Sequence, residues 1–186
     1  FGFALALVFS TNGIVALIDA FNVSIHVEES RSWLMQRAIA FILMVSLVSL
    51  VTIGVSLMTI THRLMDFLVL KELMIQGWLY YMVNIGKWVV ILGVFYFAYS
   101  FLYYWGPSKK SQYRFISAGA SLATALSILI TTGFGFYIDH FSRYNALYGS
   151  IGTLPIIMLM IFCYALAIII GFELNIGIVT ARKVHL

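Results

Sequence analysis

Five long apolar segments constrain the fold of this chain more than any other feature. They lie at approximately 1–22, 36–61, 84–105, 114–138 and 151–178. A helix needs roughly 20 residues to cross about 30 Å of hydrocarbon, and each segment is of that length or longer. The strands of an outer-membrane barrel would alternate apolar and polar residues, which these segments do not. Because lipid offers the backbone no hydrogen-bond partners, we predict an all-α, polytopic helical membrane protein with about five transmembrane helices.

The composition supports a membrane protein and excludes a water-soluble domain, a disulfide framework and a cysteine metal site. Of the 186 residues, 62% are hydrophobic and only 10% are charged, which is too apolar for a water-soluble domain of this size. The single cysteine, Cys163, cannot form a disulfide framework or a cysteine metal site. No linker or repeat divides the chain, so we expect one transmembrane domain over 1–186. Since it begins at Phe1 within an apolar segment, we expect it to be an N-terminally incomplete part of a longer chain.

The distribution of Lys and Arg predicts the orientation in the membrane. One side collects seven cations: Arg31, Arg37, Lys109, Lys110, Arg114, Arg182 and Lys183. The other side collects four: Arg63, Lys71, Lys87 and Arg143. The side richer in Lys and Arg is normally cytoplasmic. We therefore predict a cytoplasmic C-terminus and a 139–150 loop on the external side.

The connection at 62–83 is too long for a simple turn and too apolar for a free loop. Its charged residues form two groups, Arg63 with Asp66 and Lys71 with Glu72. We expect an interfacial helix lying on the external surface. A re-entrant or partly protein-covered segment is the alternative, because the polar residues do not gather on one narrow face.

Glu173 is the one charged residue between Ile151 and Ala181. A carboxylate within a membrane span costs several kcal/mol and is usually turned toward the bundle interior. We expect Glu173 to accept hydrogen bonds there, with Asn22 and Arg31 as the candidate donors. The pair would be a structural staple or part of a substrate, ion or proton site, and the sequence does not choose between them. Asn175 adds a second polar group, and Gly171 would let a neighbouring helix approach.

Other polar residues fall at the same end of the predicted bundle. Asp19 and Asn22 close the first segment, and Arg31 follows Glu28 and Glu29. Arg31 would pair locally with these glutamates, or else serve as a buried partner of Asp19 or Glu173 or hold an anionic head group. For Arg114, a role as a basic flank of its span is favoured over phosphate binding.

The sequence lacks the signatures of common catalytic and cofactor sites. There is no phosphate-binding Gly-rich loop, dinucleotide turn or Cys/His ligand spacing, and the four histidines are scattered along the chain. No nucleophile or base with an orienting partner is visible. Aromatic residues are not interleaved with basic ones on one face, as nucleic-acid binding requires. We therefore expect no catalytic residue, no metal, no cofactor and no nucleic-acid partner. Membrane lipids are the expected partners, together with a homo-oligomer or a larger membrane complex.

Four stretches resemble the YihY/virulence factor BrkB family of bacterial inner-membrane proteins, formerly labelled ribonuclease BN-like. They are "YYWGPSKKSQYRFISAGA", "FGFYIDHFSRYNALYGSIG", "GFELN" and, more weakly, "DAFN" followed by "EESRSW". The matching motif positions are Tyr148, Gly149, Ser150, Gly152 and Gly171. A departure is Pro155, where the family usually has a helix former, although proline is tolerated in a first helical turn.

The resemblance implies a bacterial inner-membrane location and a role in transport or virulence. We rank first an inner-membrane transporter, of a lipid or another amphiphilic anion. A non-catalytic structural or assembly subunit of a membrane complex ranks second. A ribonuclease ranks third, because the chain lacks a catalytic constellation and carries a net charge of only +4.

Overall fold

The computed structural model describes residues 1–70, 78–108, 115–148 and 153–184. These ranges form five helices and no strand: α1 (Gly2–Ser24), α2 (Trp33–Leu70), α3 (Trp78–Trp105), α4 (Ala118–Tyr148) and α5 (Thr153–Val184). Each contains a stretch long and apolar enough to cross a membrane, over Gly2–Ser24, Trp33–Leu57, Tyr81–Trp105, Ala118–Ile138 and Leu154–Arg182. The predicted all-α polytopic architecture is confirmed.

Local sequence explains several helix ends. α3 stops at Trp105 because Gly106 and Pro107 follow: the Gly106 N–H donates to the Leu102 carbonyl at 2.9 Å, and Pro107 has no N–H to continue the ladder. α4 begins after Ser117, whose Oγ accepts a hydrogen bond from the Ala120 N–H at 3.2 Å. This is the usual arrangement of an N-cap serine, which satisfies a backbone donor that the helix itself leaves free.

The prediction of a separate external helix over 62–83 is wrong for the part of this segment that the structure describes. Residues 62–70 continue α2, and 78–83 begin α3, while 71–77 lie outside the described ranges. The sequence contains no Gly or Pro between Gly54 and Gly77. Once α2 has formed, each further residue adds one backbone hydrogen bond, so the helix continues past the end of its apolar span.

The five helices pack in a ring that follows chain order. α1 packs on α2 and on α5, α2 on α3, α3 on α4, and α4 on α5. Ring closure therefore depends on the contact between the first and last helices, which are the most distant in sequence.

Burial is concentrated at one end of this ring. We call it the packed half, where α1, α3 and α5 end and where α2 and α4 begin; the opposite end is the open half. The core lies in the packed half and consists of Ile18, Phe21, Ala40, Leu43, Tyr99, Leu102, Tyr103, Ala120, Ala123 and Phe172. Ser127 and Ala167 are buried at the midpoints of the spans of α4 and α5. In the open half, the buried residues among those described are only Thr11 of α1 and Gly54 of α2. The described side chains are thus buried mainly in the packed half.

Candidate functional site

The polar residues at the packed end form three separate groups rather than one site. The first group, which we call the loop staple, joins the 25–32 connection to the end of α3. Asn22 donates from Nδ2 to Glu29 Oε2 at 2.8 Å, and its Oδ1 accepts from the Ser108 N–H at 2.9 Å. Arg31 donates to both Glu29 oxygens, at 2.7 and 2.8 Å, and to the Gly106 carbonyl at 2.9 Å.

The charges of the loop staple neutralise each other. The Arg31–Glu29 pair is a bidentate salt bridge, and the side chains are 13% and 19% exposed, so water screens it only in part. The hydrogen bond from Arg31 holds the pKa of the Glu29 carboxyl below its ordinary value, against the opposing effect of burial. Arg31 therefore pairs locally, as one of the two sequence interpretations proposed, and its charge is already compensated.

Glu173 is not part of this staple. Its side chain is exposed, and within the described residues it makes no hydrogen bond or ion pair. The expectation that Glu173 faces the bundle and accepts from Asn22 and Arg31 is wrong, because both donors bind Glu29. The reason is helix geometry. Gly171 and Asn175 turn toward the core, and at about 3.6 residues per turn Glu173 lies on the opposite side of α5.

Asn175 belongs to the second group, which joins α5 to the start of α4. It is 5% exposed, accepts from the Gly119 N–H at 2.8 Å, and donates from Nδ2 to Ser117 Oγ at 3.0 Å. Asn175 thus satisfies a backbone donor in the first turn of another helix. Such a bond is valuable in lipid, where a free N–H has no water to bind.

Gly171 makes this second group possible by close backbone approach. A Cβ added there would lie 2.6 Å from the Gly119 carbonyl oxygen and 2.9 Å from the Ala123 Cβ. Small residues at such positions let transmembrane helices come close enough for van der Waals packing and interhelical hydrogen bonds. The expected role of Gly171 as a point of close approach is therefore realised between α5 and α4.

The third group lies along the contact between α1 and α2, which we call the α1–α2 seam. Gln36 donates from Nε2 to Asp19 Oδ1 at 2.7 Å. Two turns earlier on α1, Asn12 accepts from Arg37 Nη1. The Arg37 guanidinium also lies over the Trp33 ring, 5.5 Å from its centroid. Asp19 is therefore held by Gln36 and does not join Asn22 or Arg31.

Aromatic rings close the centre of the packed half. Phe21 of α1 lies 4.2 Å from Phe172 of α5 and 5.7 Å from Tyr103 of α3, measured between ring centroids. Tyr103 donates its hydroxyl proton to the Ile168 carbonyl at 2.7 Å. We call these three aromatic residues, together with Leu102 of the same core, the aromatic plug. Each of the four is no more than 2% exposed.

A crevice opens beyond the plug, between α2, α3 and α5. It has a volume of about 490 Å³ and is bounded by residues such as Val51, Val94, Ala98, Tyr99 and Tyr164. The hydroxyls of its two tyrosines are hydrogen-bonded to α4: Tyr99 to Ser127, and Tyr164 to Thr131. The volume falls within the range of about 300–1,000 Å³ that is usual for ligand sites.

Several predicted positions cannot be placed. Arg114, Gly149, Ser150 and Gly152 lie outside the described residues, and for Tyr148 only its position at the end of α4 is described. Their predicted roles stay predictions.

Sequence reasoning missed the aromatic plug and the Arg37–Asn12 pair. Apolar rings in apolar spans give no signal that separates a plug from a lipid-facing surface. Asn12 and Arg37 did carry a signal, since each is a polar residue within a candidate span.

The arrangement defines a class of protein before any comparison. It is a multi-pass α-helical membrane protein with an aromatic closure in the packed half and an apolar crevice between α2, α3 and α5. Among the described residues, no group of His, Cys, Asp or Glu is placed to hold a metal ion.

Comparison with known proteins identifies the family. The model of the virulence factor BrkB family matches residues 1–185, and the chain belongs to that family. It is 31% identical over 179 residues to the ribonuclease-like protein YfkH of Bacillus subtilis (strain 168), covering 94% of this chain and 63% of YfkH.

Other relatives carry the description UPF0761 membrane protein. One from Vibrio campbellii is 34% identical over 89 residues, covering 48% of this chain and 28% of the relative. Another, IL2447 of Idiomarina loihiensis, is 27% identical over 149 residues, covering 80% of this chain and 50% of the relative. The chain thus spans less than two thirds of the length of these relatives. No solved structure matches it.

Proposed function

We propose that the protein is a transporter of the bacterial inner membrane that moves a lipid or another amphiphilic anion, with its C-terminus in the cytoplasm. One observation carries this proposal: among the described residues, burial is concentrated in the packed half, and an apolar crevice lies beyond the aromatic plug. A transporter that alternates between two accessible states needs a closed end that can open and an open end that can close.

The crevice suits the hydrocarbon part of such a substrate. Its lining residues lie within the candidate spans of α2, α3 and α5, at a depth where lipid chains surround the protein. Because the hydroxyls of Tyr99 and Tyr164 are already paired with α4, the crevice offers little to a polar group and much to an apolar one.

A transport assay with matched variants tests the proposal. The full-length protein would be reconstituted in vesicles carrying a fluorescent phosphatidylglycerol, and the movement of the label between leaflets would be measured. Val51 borders the crevice and is 54% exposed, while Val48 on the same helix is 60% exposed and does not border it. We expect protein-dependent movement that Val51→Trp strongly reduces and Val48→Trp preserves. Movement that is absent, or that both variants lower equally, would contradict the proposal for this class of substrate.

The aromatic plug provides a second readout. Starting from a Cys163→Ser background, the Leu102→Cys variant places a thiol in the plug and Arg182→Cys places one at an exposed site near the same end. We expect an impermeant maleimide to modify Leu102→Cys slowly but measurably under native conditions, and Arg182→Cys at once. Addition of Val51→Trp should slow the Leu102→Cys reaction. A plug that reacts only when the protein unfolds would argue against a transport cycle.

The exposed carboxylate of Glu173 favours a second candidate, a non-catalytic assembly subunit. Glu173 shares its face of α5 with Leu166 and Ile170, which are 43% and 49% exposed. A charged group on a lipid-facing surface is costly, so another protein would supply its donor. In that case Glu173→Gln should release a co-purifying protein without changing the melting temperature. Glu28→Gln, which removes an exposed loop carboxylate, should change neither.

The name of YfkH raises ribonuclease activity as a third candidate. We propose that this protein is not an enzyme. The purified protein should leave transfer-RNA precursors uncut, with or without divalent metal. Cleavage that disappears in the Glu173→Gln variant would overturn this ranking.

A further inference from the structure

Two arginines near the packed end differ in how their charge is compensated. Arg31 uses three side-chain hydrogen bonds, two of them to the Glu29 carboxylate. Arg37 has one described hydrogen bond, from Nη1 to the neutral amide oxygen of Asn12. Within the described residues, no carboxylate lies within salt-bridge distance of Arg37. Its guanidinium therefore keeps most of its donors and all of its charge available.

Among the described residues, the surroundings of Arg37 hold no paired counter-ion and suit an anion. The described titratable group on the facing helix is Asp19, whose Oδ1 accepts from Gln36. Asp19 lies seven residues from Asn12, or about 10 Å along α1. The Trp33 ring below the guanidinium adds a cation–π contact and fixes the orientation of the fork.

The position of Arg37 is also informative. Trp33 and Arg37 lie in the first turn and a half of the candidate span of α2, and Trp33 is 66% exposed. Tryptophan concentrates where hydrocarbon meets head groups. Ionisable residues within spans are rare and normally have a partner. A partly buried arginine with no carboxylate partner among the described residues therefore fits an anion supplied from outside them.

We propose that Arg37, oriented by Asn12 and Trp33, binds a phosphate group at the α1–α2 seam. The planar guanidinium can donate two parallel hydrogen bonds to phosphate oxygens, which a lysine cannot. The phosphate belongs to a lipid head group or to a free anion, and the two sources differ in whether a hydrocarbon chain is required. This site does not depend on the transport proposed above.

Thermal stability of the full-length protein tests the site. The melting temperature would be measured in nanodiscs of phosphatidylcholine and of phosphatidylcholine mixed with phosphatidylglycerol, and in detergent with and without inorganic phosphate. A ligand that binds only the folded state raises the melting temperature. We expect phosphatidylglycerol to raise it by a few degrees in the wild type. Arg37→Gln should lose this increment, whereas Arg182→Gln, which removes one exposed cation at the same end, should keep it.

The remaining arms identify the source and separate binding from folding. An equal increment from inorganic phosphate in detergent assigns the site to a free anion, and its absence assigns the site to lipid. If Arg37→Gln does not fold, Arg37→Lys takes its place and should keep less than half of the increment, because the charge remains but the fork is lost. An Arg37 variant that melts lower in both nanodiscs but keeps the full increment would overturn the proposal. So would the absence of any increment, from lipid or phosphate, in the wild type.

Discussion

Asn175 joins two helices through a single side chain. It satisfies the Gly119 N–H and Ser117 Oγ while it is almost fully buried. At the other corner of the packed end, Glu29 binds both Asn22 and Arg31 and so connects the end of α1 to the 25–32 loop. Both residues act through direct hydrogen bonds, and the contribution of each to stability can be measured separately.

Replacement of Asn175 by leucine should lower the stability of the bundle. The change leaves the buried Gly119 N–H without an acceptor, which costs about 1–3 kcal/mol. We expect a lower melting temperature for Asn175→Leu by calorimetry or thermal fluorescence in detergent. Asn84→Leu is the matched control, because Asn84 is exposed on α3. Equal melting temperatures for the two variants would show that the bond to Gly119 contributes nothing net.

The Glu29 carboxyl predicts a pH dependence. Its pKa in the folded protein is lowered from the ordinary value of 4.5, chiefly by the hydrogen bond from Arg31. A group whose pKa is lower when folded stabilises the fold above its unfolded pKa, and this stability is lost as the pH falls through the folded pKa. When the pH is lowered from neutral to below 4.5, the melting temperature of the wild type should therefore fall further than that of Glu29→Gln. Glu28→Gln should follow the wild type; if it instead follows Glu29→Gln, the dependence does not come from the staple.

Among the elements, α4 and α5 come closest to each other. Gly171 faces Gly119 across this contact, and a side chain at either position would meet backbone atoms of the other helix. Gly177, further along α5, has no described atom of another helix within 4 Å of an added Cβ. The same residue type thus has a packing role at one position and none in the described bundle at the other.

The glycine pair gives a matched test of this contact. Gly171→Ala should destabilise the protein by about 1–3 kcal/mol, because α4 would have to move away. Gly177→Ala should be neutral or stabilising by up to about 1 kcal/mol, since alanine favours a helix more than glycine does. Melting temperatures of the two variants check this. A Gly171→Ala protein as stable as Gly177→Ala would mean that the α4–α5 contact readily gives way.

For the whole molecule, the central feature is the contrast between its two ends. The aromatic plug and the loop staple close the packed half, while apolar side chains of the open half face outward or into crevices. Without a hydrophobic effect between helices in lipid, close packing needs small residues and polar contacts. The groups formed by Asn175, Glu29 and Gln36 lie toward the packed end.

Topology is a prediction at the same scale. In a Cys163→Ser background, an impermeant maleimide applied to intact cells should label Asn145→Cys but not Ser108→Cys, because the cation distribution predicts a cytoplasmic packed end. Arg182→Cys serves as a second inner position, since the Ser108 Oγ is buried. All variants should label after permeabilisation. Labelling of Arg182→Cys in intact cells would reverse the assignment.

The sequence by itself determined the class of fold. Apolar runs of more than 20 residues predict helices because lipid forces each backbone to satisfy its own hydrogen bonds, whatever the neighbours are. Gly106, Pro107 and Ser117 act on their own turn of backbone, so their local chemistry accounts for the end of α3 and the start of α4. The long α2 exceeded its predicted span because an apolar segment limits where a helix can cross, not where it must stop.

The tertiary structure alone decided which polar groups meet. Gly171, Glu173 and Asn175 lie within five residues, yet the rotation of α5 buries two of them and exposes Glu173. Arg31 pairs with Glu29 rather than Glu173 because the loop brings Glu29 close. Arg37 donates to Asn12 because α1 packs on α2. Helix rotation and pairing depend on the summed packing of all five helices. No single segment of sequence contains that information. Apart from the local pairing of Arg31 with a neighbouring glutamate, the sequence therefore named candidate polar residues without identifying their partners.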